Sequence, residues 1–298
     1  MEKYREFFKV EIVDGDRKFF VLRPASINRP YDQSVMFIKE KMVEKWRVFC
    51  TVQDCLIYWP NSHPIPCELQ KLHKVVACKD PRMAYSRFFH DNHISGYPIQ
   101  APFHEVGGAW ICDAAVIGPG STVMPGAYIG PDVIIGENVY IGAGAKLVGR
   151  VECGDNVVIR ENVSIGADGR TTDRDSDGKI VTMPHFGGVI IENDVEIGAN
   201  TVIERGAIDD TVLSRGCKID CHCLIGHNSF LGTDSILVAG TVLLGSVHTG
   251  ANSYFAGNVI VRNQLSVGSN TLVGMGSVVT KAVPDGVVVY GNPARPKG

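Results

Sequence analysis

The residues best suited to chemistry lie in the run KIDCHCLIGHN, residues 218–228. His227 stands near its end, and a neutral imidazole can take up a proton near pH 7. Gly245 follows His227 by three steps of six; its backbone N–H could face a developing oxyanion, and its missing side chain leaves room for a bulky reactant. Asp209 precedes His227 by three such steps, and Asp220 by one step and one further position. Either carboxylate could hold the imidazole in one tautomer. Asn228 is open to two readings, a substrate contact or a turn residue that serves only the backbone. The competing reading of His227 itself is a corner histidine with purely structural hydrogen bonds.

Such groups need elements that hold them in columns. Apolar or bulky residues recur every 6 positions at Leu213, Ile219, Ile225, Leu231, Leu237 and Leu243, then Thr249, Phe255, Val261, Val267, Val273 and Val279. Only Thr249 is polar. The same spacing runs earlier, from Ile111 through Ile117, Val123, Ile129, Ile135, Ile141, Leu147, Cys153 and Ile159 to Ile165. A period of six fits neither a helix nor simple strand alternation and predicts a solenoid, a parallel β-helix prism of about 18 residues per coil. Residues one coil apart then stack in columns about 4.8 Å apart, which places Gly245 on His227.

The register is interrupted twice, by a polar excursion at residues 167–188 and by a slip of four residues near Ala207. Long loops breaking a regular repeat are more often functional than accidental. Within the excursion DRDSDG has the look of a calcium loop, but Pro184 stands where the closing Glu belongs, so a solvated turn is expected. Pro284 and Pro293 are expected to end the repeat, leaving a tail over 284–298.

Glycine divides the chain: Gly15 and Gly96 alone fall in the first hundred residues. The break predicts a small α/β domain over 1–100 and the prism over 101–298, with the boundary near 95–105. In the first domain Phe19–Leu22, Ser34–Ile38, Asp54–Trp59 and Lys74–Cys78 read as strands. Lys39–Val48, Cys67–His73 and Pro81–Asn92 read as helices, the last capped by Asp80 with Pro81 in its first turn.

A net charge of −3 without a dense basic run gives no support to a nucleic-acid partner. Nine cysteines without a paired framework and a charged start, MEKYREFFKVEIVDGD, point to reduced thiols in the cytoplasm. No apolar run approaches the ~18 residues that span a bilayer.

The hexads resemble those of the hexapeptide-repeat acyltransferases, which implies a left-handed parallel β-helix and a homotrimer. RENVSIGADG (160–169), GGVIIENDVEIGANTVIERGAIDDTV (187–212) and KIDCHCLIGHN are similar to the UDP-3-O-acylglucosamine N-acyltransferases of lipid A synthesis. SVMFIKEKMVEKW (34–46) and KDPRMAYSRFF (79–89) are fainter counterparts of that family's uridine-binding domain. The resemblance implies His227 as general base, Asp220 as its partner because KID…HN matches, and Gly245 as oxyanion donor. Glu204, Arg205, Asp209, Asn228 and Phe37 become substrate-binding candidates. Gly257, Asn263, Gln264, Lys281 and Arg295 become donor-binding candidates.

This chain departs from the family in three ways. The family's second histidine falls at Gln264, its uracil-pocket Asn and Tyr fall at Glu40 and Val43, and its C-terminal helices have no counterpart. The ending VVTK…GNPAR instead resembles coenzyme A dependent sugar acetyltransferases. The expected activity is therefore transfer of an acetyl group from acetyl-CoA, with no permanently bound cofactor, to a nucleotide-linked amino sugar. An acyl carrier protein thioester is the alternative donor. His222 and His227 also share the spacing of two zinc ligands in gamma-class carbonic anhydrases, with His185 as a third, and a scaffold with a degenerate site is the remaining alternative.

Overall fold

A computed structural model describes residues 6–96 and 101–296. It divides into two compact units, the residues up to Gly96 together with Arg170–Phe186, and the rest. The boundary expected near 95–105 falls partly on residues 97–100, outside the described ones.

The first unit holds a parallel four-stranded sheet in the order Arg23–Pro24, Ser34–Phe37, Leu56–Pro60, Lys74–Cys78. Met36, Ile57 and Trp59 are fully buried in it. The expected helix after the second strand is a 3-10 helix, Glu40–Thr51, with Phe49 as its buried residue. The α-helices Cys67–Leu72 and Pro81–Asp91 follow. Asp80 caps the latter by accepting the Met83 N–H at 3.0 Å. A further hairpin pairs Val10–Asp14 with Arg17–Val21 through Gly15, whose φ of 61° suits a tight two-residue turn.

Arg170–Phe186, the body of the excursion, belongs to this unit and contains a hairpin, Thr172–Arg174 against Ile180–Thr182. Its carboxylates are engaged by protein donors. Asp175 Oδ1 accepts the N–H groups of Asp177 and Lys179 at 3.0 and 2.9 Å, while Arg87 and Arg82 pair with Asp175 and Asp173. Phe186 packs on Phe89 with ring centroids 4.7 Å apart. Helix Pro81–Asp91, whose apolar stripe includes Phe88 and Phe89, thus gains a β-hairpin partner that its own sequence neighbourhood does not supply.

The second unit is the prism. Three parallel sheets form because each two-residue strand pairs with the strand three hexads on: Leu224–Ile225 with Val242–Leu243 in a first sheet, Val212–Leu213 with Phe230–Leu231 in a second, Ile236–Leu237 with Tyr254–Phe255 in a third. The inward hexad residues Ile225, Leu231, Leu237, Leu243 and Phe255 are fully buried. Thr249, the polar exception, is 3% exposed, and its hydroxyl accepts the Gly232 N–H at 3.0 Å, which meets the cost of burying it. The early column residues Ile117 and Val123 are only partly covered because they belong to the first coil, where stacking is one-sided.

Corner residues are held just as regularly. Asn138, Asn156, Asn162, Asn200, Asn252 and Asn258 take left-handed φ values of 55–58°, where Asn is tolerated better than most residues. Burial pushes the Cys153 thiol up to about 12 and those of Cys217 and Cys223 up to about 11. These thiols are core filler and remain protonated.

The repeat continues past Pro284. Val283 bridges Val267, and Val288–Tyr290 adds a strand beside Leu272–Val273 before Arg295–Pro296 pairs antiparallel with it. Pro284 is accommodated because it stands at a corner, where the ladder asks nothing of its missing N–H.

Candidate functional site

One corner of the prism, where the chain turns from the first sheet to the second, carries the register breaks. The excursion leaves after strand Ser164–Asp168 and returns at Val189–Ile191; the four-residue slip lies between Val202–Arg205 and Thr211–Leu213. His227, Asn228, Gly245, Asn263, Gln264 and Lys281 occupy successive turns of this corner.

His227 is half-buried. Its backbone N–H donates to Glu204 Oε2 at 3.0 Å. Its ring contacts Asn228, with Nδ1 3.0 Å from Oδ1. The orientation of that amide is set by two backbone groups that cannot exchange roles: Ala207 N–H donates to Oδ1 at 3.0 Å, and Nδ2 donates to the Asp209 carbonyl at 2.7 Å. Oδ1 therefore faces the ring, Nδ1 carries the proton, and Nε2 is the basic nitrogen.

Nε2 points toward Gly245. A Cβ built on that glycine would lie 2.5 Å from Nε2 and 2.8 Å from Cε1. The Gly245 N–H has no hydrogen-bond acceptor among the described residues. The imidazole thus packs directly against Gly245, whose backbone N–H is unspent, an arrangement suited to moving a proton off a nucleophile while a carbonyl oxygen gains charge. Gly245 has no left-handed φ, so alanine fits the backbone and its effect is steric. Gly245→Ala is expected to lower turnover about 100-fold with a melting temperature near that of the wild type, checked by steady-state rates beside thermal unfolding.

Several expectations need correction. Asp220 does not reach His227: it turns the preceding corner, is exposed, and its Oδ1 accepts the Cys221 N–H at 2.7 Å, which together with its other backbone donors holds its carboxyl below the usual range. One hexad advances the chain by one face, so Asp220 and His227 leave the prism at different edges. The same holds for His222 against His227, and no three His, Cys, Asp or Glu side chains gather into a metal site among the described residues.

Arg205 is not a substrate contact. Its side chain is 2% exposed and its Nε donates to the Gly187 carbonyl at 2.7 Å. Asn228 is a positioning residue, both ends of its amide being spent on the slip loop and on His227. Asp209 meets the site through its carbonyl, on Asn228 Nδ2. Gly257 belongs to the corner that carries Asp220, and Arg295 to the last antiparallel strand, apart from His227. Gln264 and Lys281 are exposed on the His227 corner, Gln264 with φ 60°. Phe37 lies in the other unit, its ring 4.9 Å from that of Tyr85, and Glu40 accepts the Ser62 hydroxyl at 2.8 Å.

Gly169 is a site residue that the motifs did not single out. A Cβ there would lie 2.8 Å from Glu204 Cδ and 3.0 Å from His227 Cδ2. Its signal was the ADG at 167–169, placed where the excursion departs. The stems of the excursion are clamped at this corner: Asp210 Oδ1 accepts the Gly188 N–H at 2.8 Å and pairs with Arg150, while Arg205 holds Gly187.

The family model for bacterial transferase hexapeptide (six repeats) matches residues 108–143 and 132–167. UDP-3-O-acylglucosamine N-acyltransferase of Methylorubrum extorquens is 40% identical over 119 residues, 40% of this chain and 34% of that protein. The same-named protein of a Caulobacter species is 36% identical over 117 residues, 39% of this chain and 34% of the relative. The matches thus span about a third of the length of these curated relatives. Among solved structures, UDP-N-acetylglucosamine acyltransferases from Campylobacter jejuni and Bacteroides fragilis superpose with TM-scores of 0.57 and 0.58 at 22% and 21% identity, covering 65% of this chain and 73% and 74% of theirs. The prism of this chain is accordingly a hexapeptide-repeat domain with the left-handed parallel β-helix fold.

Proposed function

We propose that the protein is an acyltransferase that moves an acyl group from a thioester to the amino group of a nucleotide-linked sugar, with His227 as general base. The observation that carries this reading is the Asn228-fixed tautomer of His227, which leaves Nε2 as the basic nitrogen against Gly245, whose N–H has no acceptor among the described residues. In the reaction the amine nitrogen attacks the thioester carbonyl and one N–H proton passes to Nε2. The oxyanion rests on the Gly245 N–H. The C–S bond then breaks and the proton leaves with sulfur as a free thiol.

The acceptor class is supported by the relatives, which are named for acyl transfer to a UDP-linked amino sugar. Acetyl-CoA is the proposed donor, with Lys281 exposed on the His227 corner for its phosphates. A second reading, an acyl chain on acyl carrier protein delivered to UDP-3-O-acylglucosamine, is favoured by the names of those same relatives. No helix among the described residues is long and apolar enough to cross a membrane, which suits a water-borne substrate. The exposed outward row Ile236, Tyr254 and Leu272 on the third sheet supports assembly of prisms side by side, and a homotrimer is part of the proposal. Incubation with acetyl-CoA or acyl carrier protein thioesters and a panel of UDP- and dTDP-linked amino sugars, followed by release of free thiol, tests it. Absence of turnover with every thioester sinks it.

A further inference from the structure

Three groups of the slip loop, residues 206–211, hold Asn228. Ala207 N–H and the Asp209 carbonyl meet its amide, and the Thr211 hydroxyl accepts its backbone N–H at 2.9 Å. The two ends of that loop hang on one atom. The Gly188 carbonyl accepts the N–H of Gly206 at 3.1 Å and that of Thr211 at 3.0 Å, which occupies both of its lone pairs. The loop has no slack between them, since a Cβ on Gly206 would lie 1.6 Å from the Asp209 oxygen. Corner asparagines elsewhere spend their amides on the next coil, Asn156 Nδ2 on Asp194 Oδ1 at 3.2 Å and Asn252 Nδ2 on Asn270 Oδ1 at 3.3 Å. The Asn228 amide is diverted to the loop and to His227.

Thr211 is the member of this group that packing does not explain. It is fully buried in the column Val133, Val151, Val189, Thr211, where valine fills the place in the three coils below. Buried hydroxyls elsewhere accept the N–H of the residue above them in their own column: Ser121 that of Val139 at 3.0 Å, Ser235 that of Ser253 at 3.1 Å. Val212 pairs with Phe230, which sets Thr211 under Ser229. Its hydroxyl nevertheless accepts the N–H one place earlier, at Asn228.

We propose that Thr211 is a positioning residue for the base: its hydroxyl aims Asn228 so that Oδ1 keeps the His227 proton on Nδ1 and leaves Nε2 to take a proton from the acceptor. The inference rests on the proposed role of His227 as base of acyl transfer. Without the hydroxyl the Asn228 N–H has no partner in a half-buried turn, and the turn moves toward water to find one. Oδ1 then leaves the ring, and the Nε2–H tautomer, which cannot accept a proton at Nε2, gains population.

Thr211→Val is the test, because valine continues the column and the prism should stay folded. Labelling with 15N-histidine reads the tautomer, the His227 signals being those that vanish in His227→Ala. The wild type should carry its proton on Nδ1, and T211V should show a clear share of the Nε2–H form. With the thioester and amino sugar nucleotide that the wild type uses, kcat for T211V should fall about 10-fold, the weight of one hydrogen bond. Both KM values should stay within about twofold, since no substrate contact is removed. Thr211→Ser keeps the acceptor oxygen and should return kcat to within about threefold of wild type, with the wild-type tautomer. A residue that served packing alone would move the melting temperature and leave the His227 signals where they were. Thr211→Ala removes the same hydroxyl and takes the place of T211V if that variant does not fold. Unchanged His227 signals, a kcat within about twofold of wild type, or a T211S enzyme as impaired as T211V overturns the proposal. The tautomer is read without substrate, so the two failures are distinct: a wild type that acylates no amine overturns the parent reading, and unmoved signals in T211V overturn this one.

Discussion

Replacing His227 with Ala is expected to lower acyl transfer by about 10²–10⁴-fold while leaving the protein folded to within about 1 kcal/mol. The two halves of that expectation come from different atoms. The proposed reaction needs the ring, whose Nε2 lies beside Gly245. The corner needs only the backbone, because the residue's N–H to Glu204 and its carbonyl, which accepts the Ser246 N–H at 2.7 Å, survive in alanine. The ring itself is half-exposed and gives up its hydrogen bond to Asn228, whose amide keeps its two backbone partners. Release of thiol and a thermal melt, run on the same preparation, read both halves. Asp220→Asn is the matched control: its carboxylate caps its own turn at another corner, so activity should stay within about threefold of wild type.

Arg205→Met should do the reverse, costing about 3 kcal/mol or more of stability. The guanidinium is 2% exposed, donates to the Gly187 carbonyl, and lies 3.9 Å from Asp168. Methionine fills much of the volume but leaves that carbonyl and a part-buried carboxylate without the cation, and broken buried pairs are expensive for that reason. The space is fitted to arginine, since a Cβ on Gly149 would lie 3.1 Å from Nη1. Gly187 ends the excursion, so the first element to loosen should be the stem between Asp168 and Gly188. Denaturant unfolding reads the loss, and limited proteolysis should show new cleavage within 166–190. A variant as stable as wild type would show that the clamp is dispensable.

The hexad columns were open to inspection in the sequence because each coil repeats one environment: an inward residue is buried, and its counterpart in the next coil follows three hexads later. The pairing of His227 with Gly245 follows from that arithmetic alone. It failed where the arithmetic is local. Counting three hexads back from His227 reaches Asp209, but the strands before this corner pair at an offset of 22, Val202 with Leu224. The slip thus brings Glu204 and Arg205 under His227 and leaves Asp209 in the inserted turn. Asp220 has only a motif match behind it, since its spacing of 7 from His227 crosses an edge of the prism. The part played by Asn228 depends on which backbone groups its amide meets, Ala207 and Asp209, and no spacing rule announces a hydrogen bond across an insertion. In the first unit the hairpin Val10–Asp14 with Arg17–Val21 had its sign, Asp14 before Gly15 between alternating residues, yet the charged start obscured it.

The shifts of register have one address. Strands pair at an offset of 18, then 38 after the excursion, 22 after the slip and 16 at the end, and each change occurs on the corner that bears His227 or its successors. Elsewhere a length change would turn buried aliphatics outward along a whole column. Here the chain re-enters in phase whether it has gained a hairpin, gained a turn or become shorter. The corner therefore works as a cassette: its contents can be exchanged for a longer or shorter segment without rewriting the scaffold. Length can in this way vary along one edge of the prism while the columns that fill its interior keep their period.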